Sequence, residues 1–439
     1  MKRKITYFFS IITICTILAT PVAGYGQGKN IEKTYRWTYN ADQHVSFTFN
    51  NYDCNLTIHT WDKSEVEYAM SVDATLKSEE DAVRLDQFIE GLEYSRTPGG
   101  IQFNNHFWTS RVSAAGKKTM TLKGLKIIQY AEFKMRGEMW IPENCILHLS
   151  SKYSEIKVDD LSGDVYLDLY NDKLFGSNVN SDMKITAKYC TLEFEKMKNI
   201  EADLYNTDIE TGDIGNLDII SKYSNLEMGN AGRLHIDAYN DKYSFGSTGD
   251  IRFTDKYSDL NVLNAGDVEL NCYNSTVNIS KVQDVDLTSK YGKYEMNKIN
   301  KLNITTAYND NFKIEELRDL GINESKYSVF KLDHLEHSLL LGNGYSDKFQ
   351  IEQTGTLKEV NINGKYVDLQ MAIAKSLNYR FNASVKYGKL DIDEEAMNVK
   401  KKIQNGSELE MEAVKGRETD GMLSFFVKGY DMAVTLREQ

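Results

Sequence analysis

Apolar residues return along most of this chain in a fixed figure. Ile251, Phe253, Leu260 and Val262 stand at offsets 0, 2, 9 and 11 of one unit, and Val268, Leu270, Val277 and Ile279 repeat the figure one unit later. The units open at Leu147, Val165, Met183, Ile200, Leu217, Leu234, Ile251, Val268, Val285 and Leu302, and from Met183 onward the interval is 17 residues. Looser phrases open at Leu320, Leu339, Val360 and Phe381, so the count is about fourteen. Alternation at period 2 is a strand with one buried face. Two such strands per unit, joined by Asn-, Asp- and Gly-rich links, describe one coil of a parallel β-solenoid, an all-β fold in which stacked coils bury what one coil alone leaves exposed.

Polar positions add a second period. Offset 5 is Lys in one coil and Tyr in the next, and offset 6 is Tyr and then Asn. Lys222–Tyr223, Tyr239–Asn240, Lys256–Tyr257, Tyr273–Asn274, Lys290–Tyr291 and Tyr308–Asn309 show the alternation. The full repeat is therefore a 34-residue pair of coils. Coils stack at about 4.8 Å, so alternation holds like lysines roughly 10 Å apart, near the Debye length at 0.1 M salt. It also sets a tyrosine between successive ammonium groups, where cation–π contact is expected. Offset 4 is small or polar in Lys-Tyr coils (Ser221, Asp255, Ser289) and apolar in most Tyr-Asn coils (Leu169, Leu204, Ala238, Cys272), which predicts a slightly different backbone path in the two coil types.

The repeat occupies residues 147–392, between an N-terminal cap over 27–146 and a C-terminal cap over 393–439. The N-terminal cap is a small α+β region. VSFTFN and LTIHTW read as strands, and AEFKMRGEMWIP as a strand ending at Pro142. SEEDAVRLDQFIEGL reads as a helix with Ser78 as N-cap, acids in its first turn and Leu85, Phe88, Ile89 and Leu92 on one face. Such caps cover the open backbone edges of a solenoid. Residues 1–26 read as a secretory signal: basic Lys2, Arg3 and Lys4, an apolar run from Ile5 to Ala19, and a small-residue exit. With it removed, no transmembrane segment follows, and an exported protein, periplasmic or at the outer surface, is expected.

The order of these parts carries a resemblance. A signal, then NLTIHTWDKSEVEYAM, an acidic short helix, MWIPENCILHLSSKYSEIKVDDLSGDV and recurring KYS and KYG turns resemble the DUF4097-type adhesin family of exported bacterial β-solenoid proteins, numerous in Bacteroidetes. The resemblance covers most of the mature chain. It implies the solenoid and an adhesin-like role, and it brings no catalytic residues.

Composition narrows the chemistry. Proline is nearly absent, 3 in 439 residues, and none follows Pro142, as a ladder paired on both sides requires. Removing the three basic residues of the signal takes the net charge from −12 to about −15, which argues against nucleic acid as a partner. Cys54, Cys145, Cys190 and Cys272 match no metal or redox spacing and read as buried thiols; if a pair is bonded, Cys54 with Cys145 is expected. His334 and His337 form an H-x-x-H without further ligands, and no catalytic or cofactor motif stands out, so no cofactor is implied. Asp172, Asp241, Asp310 and Asp347 recur beside the tyrosines as Asx-type turn residues, the alternative being a calcium-binding or catalytic row, for which the nonapeptide calcium signature is absent. The tyrosines themselves admit two readings, a structural corner or an exposed strip that docks a glycan or a cell-envelope protein. The sequence reading is a non-catalytic structural or adhesin-like protein. A carbohydrate-active enzyme and an envelope stress or signalling accessory are the alternatives.

Overall fold

The computed structural model describes residues 28–97 and 99–439; the signal read in residues 1–26 lies outside them. The protein is a parallel β-solenoid. Each turn has two strands, as in Ile251–Lys256 and Asp259–Asn264, and each strand pairs in parallel with its counterpart one turn on. Ile236, Phe253, Leu270 and Leu287 lie directly opposite one another and are buried, so offset 2 is a core column as the alternation requires.

From Leu147 to the turn that opens at Leu339 the chain makes about twelve regular turns. The fourteen phrases counted in sequence include those at Val360 and Phe381, which belong to an irregular end. The regular turns themselves change character along the stack. From Ile200 to Asp267 they are closed by glycines; Gly232 and Gly249 each donate N–H to the glycine carbonyl one turn before, and a Cβ at Gly249 would stand 3.2 Å from the Gly232 oxygen. After that the corner is bridged by continuous strands, Thr276–Lys290, Lys293–Tyr308, Asn311–Lys326 and Val329–Tyr345. Bulges near Leu287, Leu317 and Leu341 absorb the extra residues that lengthen the period.

Both chain ends are threaded into the stack. Near the N-terminus, Ser46–Tyr52 and Asn55–Trp61 already form a turn, with Phe47 opposite Leu147 and Leu56 opposite Ile156. Its other side is covered by Gly100–Asn104 and Ile127–Pro142. Glu65–Leu76 and then Lys29–Asn40 extend that cover antiparallel. Helix Glu79–Glu90 packs on it, capped by the Ser78 hydroxyl accepting from Asp81 N–H. At the other end Leu423–Tyr430 and Ala433–Glu438 insert between Glu359–Ile373 and the turn Tyr379–Asp391, which precedes them in sequence. The solenoid thus extends past 147–392 at both ends, because a strand edge is satisfied by whichever segment of the chain reaches it. A hairpin closes the stack, Glu408–Lys415 pairing antiparallel with Tyr379–Lys386. Its outer strand exposes Lys400, Lys401 and Lys402, each paired to a glutamate, a charged edge that discourages further strand addition.

The four described cysteines are buried and unbridged. The reading as buried thiols therefore holds, and the condition for pairing Cys54 with Cys145 is not met. Burial pushes both thiols up to about 12.

Candidate interaction surface

The Lys/Tyr corner is built on an unusual backbone. Offset 6 has a left-handed conformation in every turn, with φ of 57° at Tyr223, 56° at Asn240, 66° at Tyr257, 55° at Asn274, 62° at Tyr291 and 56° at Asn309. Asn tolerates that conformation; a bulky Tyr adopts it only when its contacts hold it there. The two coil types therefore share one backbone path, contrary to the expectation from offset 4. What alternates is the placement of the ring. In Tyr-Asn turns the tyrosine ends the strand, and in Lys-Tyr turns it sits on the left-handed residue.

This alternation makes the ladder. One tyrosine per turn runs from Tyr52 through Tyr153 to Tyr366, then through Tyr430 to Tyr387 in spatial order. Between Tyr223 and Tyr308, neighbouring rings are 5.5–5.6 Å apart at 76–83°. That is the edge-to-face geometry favoured by the ring quadrupole. The core supplies the contrast: Phe312, Phe330 and Phe349 occupy the same offset in successive turns and stack at 4.6 Å, only 3–4° from parallel. Identical placement gives parallel rings, whereas alternating placement gives perpendicular ones.

The ladder is half-exposed. Tyr257 is 44% exposed and Tyr273 37%, and the same alternation holds for Tyr223 and Tyr291 against the less exposed Tyr239 and Tyr308. The strand register sets Lys222, Tyr239, Lys256, Tyr273, Lys290 and Tyr308 opposite one another in that order. All twelve residues singled out from sequence therefore share one corner, and Asn240, Asn274 and Asn309 are exposed beside the rings. The expected cation–π contacts are sparse. Among the described residues, a ladder lysine lies over a ladder ring only at Lys152–Tyr170 and Lys386–Tyr387, both 5.9 Å. Elsewhere the rings are engaged with each other and the lysines extend to solvent.

Behind the ladder runs a buried polar spine whose aspartates the sequence marked as turn residues without assigning them a face. Asp172, Asp241, Asp310 and Asp347 point inward and are buried. Asp172 accepts N–H bonds from Ser154 at 2.7 Å and Tyr170 at 3.0 Å and a hydroxyl from Ser151 at 3.2 Å. Asp310 does the same with Gly292, Tyr308 and Ser289, and Asp347 with Ser328, Tyr345 and Ser325. Each carboxylate thus braces two left-handed turns from within. At one level the partners are exchanged: Asp255 takes the place usually held by serine, and Ser275 the place of the aspartate, with Ser275 donating to Asp255 at 2.6 Å. Burial pushes Asp172, Asp255 and Asp310 up to about 6, against the pull of these hydrogen bonds. The signal for the left-handed corner was present in the Asn at offset 6; the inward turn of the following Asp had none.

Other chemistry is dispersed. His337 pairs with Asp319 at 2.7 Å and His334 with Glu336 at 3.0 Å, and no group of three metal-ligating side chains occurs among the described residues. A groove of about 890 Å³ follows the opposite corner from Asp164 to Asn303. Its acids are largely committed: Glu201 to Lys184, Glu269 to Arg252 at 3.2 Å, and Asp250 to the Asp267 N–H at 3.0 Å. No described helix is long and apolar enough to cross a membrane.

No protein-family model and no curated protein matches the chain. Among solved structures it is similar to a candidate cell adhesion protein from Clostridium sporogenes ATCC 15579, at 8% identity over 94% of this chain and 100% of that one, with a TM-score of 0.16. A superposition that loose carries no argument about this chain.

Proposed function

We propose that the protein is an exported, non-catalytic, adhesin-like interaction protein whose working surface is the tyrosine ladder. The carrying observation is the unbroken column of half-exposed, edge-to-face rings along the whole solenoid, flanked by solvent-facing Lys and Asn. Exposed apolar surface of this extent on a rigid support marks a binding face. The sequence resemblance to DUF4097-type adhesins supports the same reading, and the basic, then apolar, N-terminal segment supports export. The enzyme alternative would need free acids facing a cleft, and most of the groove acids are tied to neighbouring turns.

The test is retention of the purified chain on immobilised bacterial envelope fractions and on a glycan array. Replacing Tyr223, Tyr257 and Tyr291 together by Asn keeps residues that tolerate the left-handed backbone while removing three of the more exposed rings. Retention should fall with the solenoid still folded by circular dichroism. Undiminished retention would defeat the assignment of the ladder as the binding face.

A further inference from the structure

The ladder is also the place where positive charge is gathered on an acidic chain. The protein carries a net charge of −12, yet every second turn presents a lysine at the same outward position of the ladder strands. Of the ladder lysines, only Lys326 (to Glu324, 2.7 Å) and Lys386 (to Glu408, 3.3 Å) are ion-paired among the described residues. Lys152, Lys188, Lys222, Lys256, Lys290 and Lys365 are left free. The outward acids nearest on the same face, Asp168, Asp203 and Asp237, stand on the Tyr-Asn turns, not on the lysine turns. An anion arriving every second turn would therefore meet an unpaired lysine whose outward neighbour two residues back on the strand is uncharged (Ile220, Thr254, Thr288), while the outward acids of those strands, Asp218 and Asp286, stand four residues from Lys222 and Lys290 at the opposite corner.

We propose that the ladder binds an extended anionic polysaccharide, with one acidic group met by lysine every second turn and sugar faces laid against the intervening rings. This rests on the ladder being the binding face and adds the class of ligand. The charge period is two strand spacings, about 10 Å, a distance that a polymer with regularly repeated acidic groups spans and a compact ligand does not. The more exposed tyrosines recur with that same period. The strip is open, and the pronounced concavities among the described residues lie elsewhere, so it presents ring faces and amides rather than the deep concavities that suit the side chains of a peptide. It offers amphipathic ring surface and exposed Asn amides, which donate to and accept from sugar hydroxyls. Each contact is weak, and the repetition supplies avidity along the chain.

The experiment titrates the full-length mature chain with polygalacturonate oligomers of increasing length. A neutral β-glucan oligomer and single-stranded oligothymidylate are run beside them. The expected result is binding to the uronate oligomers that strengthens with length and weakens with salt. Changing Lys222, Lys256 and Lys290 together to Gln should weaken it by roughly tenfold or more at low salt, with an unchanged melting temperature. Equal binding of the neutral glucan, with the lysine variant unaffected, would overturn the anionic class and leave the ladder as the binding face. Preferred binding of the oligonucleotide would overturn the sugar class. No binding of any uronate oligomer, with envelope retention still dependent on the tyrosines, would overturn the inference alone.

Discussion

Tyr257 and Tyr273 differ by one position in their turns and by a great deal in backbone cost. Tyr257 holds φ at 66°, whereas Tyr273 ends a strand with ordinary geometry. A left-handed non-glycine residue costs roughly 1–2 kcal/mol. Each edge-to-face contact contributes about 0.5–1.5 kcal/mol beyond area burial, and each of these rings makes two. Replacing Tyr273 by Asn should therefore lose about 1–3 kcal/mol in denaturant unfolding. Tyr257→Asn loses similar contacts but regains part of the strain, so its loss should be smaller by about 1 kcal/mol. Equal losses at the two sites would show that the left-handed residue carries no strain. The comparison explains why a small polar residue fills offset 6 where the ring is at offset 5, Asn in most turns and Asp53, Ser346 and Asp431 in the others: without a ring to hold, the corner reverts to a residue suited to it.

A pair of turns is the element that matters, and at most levels its buried spine holds one carboxylate facing a small hydroxyl; at one level Thr207 stands in the place of the aspartate. Ser221 faces Asp241, Ser289 faces Asp310 and Ser325 faces Asp347, whereas Asp255 faces Ser275. The exchange leaves Asp255 Oδ1 without a hydrogen-bond partner, a buried orphan. Ser275→Asp alone would set a second carboxyl against Asp255 and should cost about 2–4 kcal/mol through like-charge burial. Combining it with Asp255→Ser restores the arrangement of the adjoining levels and should recover most of that loss. Additive losses in the double variant would mean that the two positions do not share one site. Period-2 alternation and the 17-residue interval made the coil, its buried offsets and the shared corner of all twelve candidate residues legible in the sequence. The spine was not legible, since an Asp after Asn reads as a turn residue with no face assigned and only the left-handed residue before it turns the carboxyl inward. The threaded ends were hidden for another reason: Leu423–Glu438 pairs with turns that are distant in sequence, and periodicity carries no record of which edge a segment joins.

At the scale of the molecule, the threaded ends and the spine set how the solenoid comes apart. Removing residues 423–439 takes a turn out of the stack and leaves Tyr379–Lys386 without its parallel partner. Amide exchange should then lose protection over residues 379–415 while Leu147–Val262 stays protected; protection retained at 379–391 would show that this turn docks directly on Glu359–Ile373. Acid has the opposite sign of effect from the one usual in proteins stabilised by ion pairs. In the unfolded chain the spine carboxyls titrate near their ordinary value of 3.8, and in the folded chain Asp172, Asp255 and Asp310 titrate at about 6, with Asp241 and Asp347 also raised by burial. Between those values the folded state binds more protons than the unfolded one, so stability falls as pH rises through the window and levels off above it. Carboxylates held below their usual range by surface partners, such as Glu316 beside Lys298 and Glu418 beside Lys400, act in the other direction but lower down, beneath about 4.5. The melting temperature should therefore rise as pH is lowered from 7 to 5. Relief of the general negative charge acts in the same sense, so the spine is isolated by comparison with Asp172→Asn and Asp310→Asn, which cannot ionise. These variants should show a flatter pH profile than the parent, and profiles of identical slope would place the titration outside the spine.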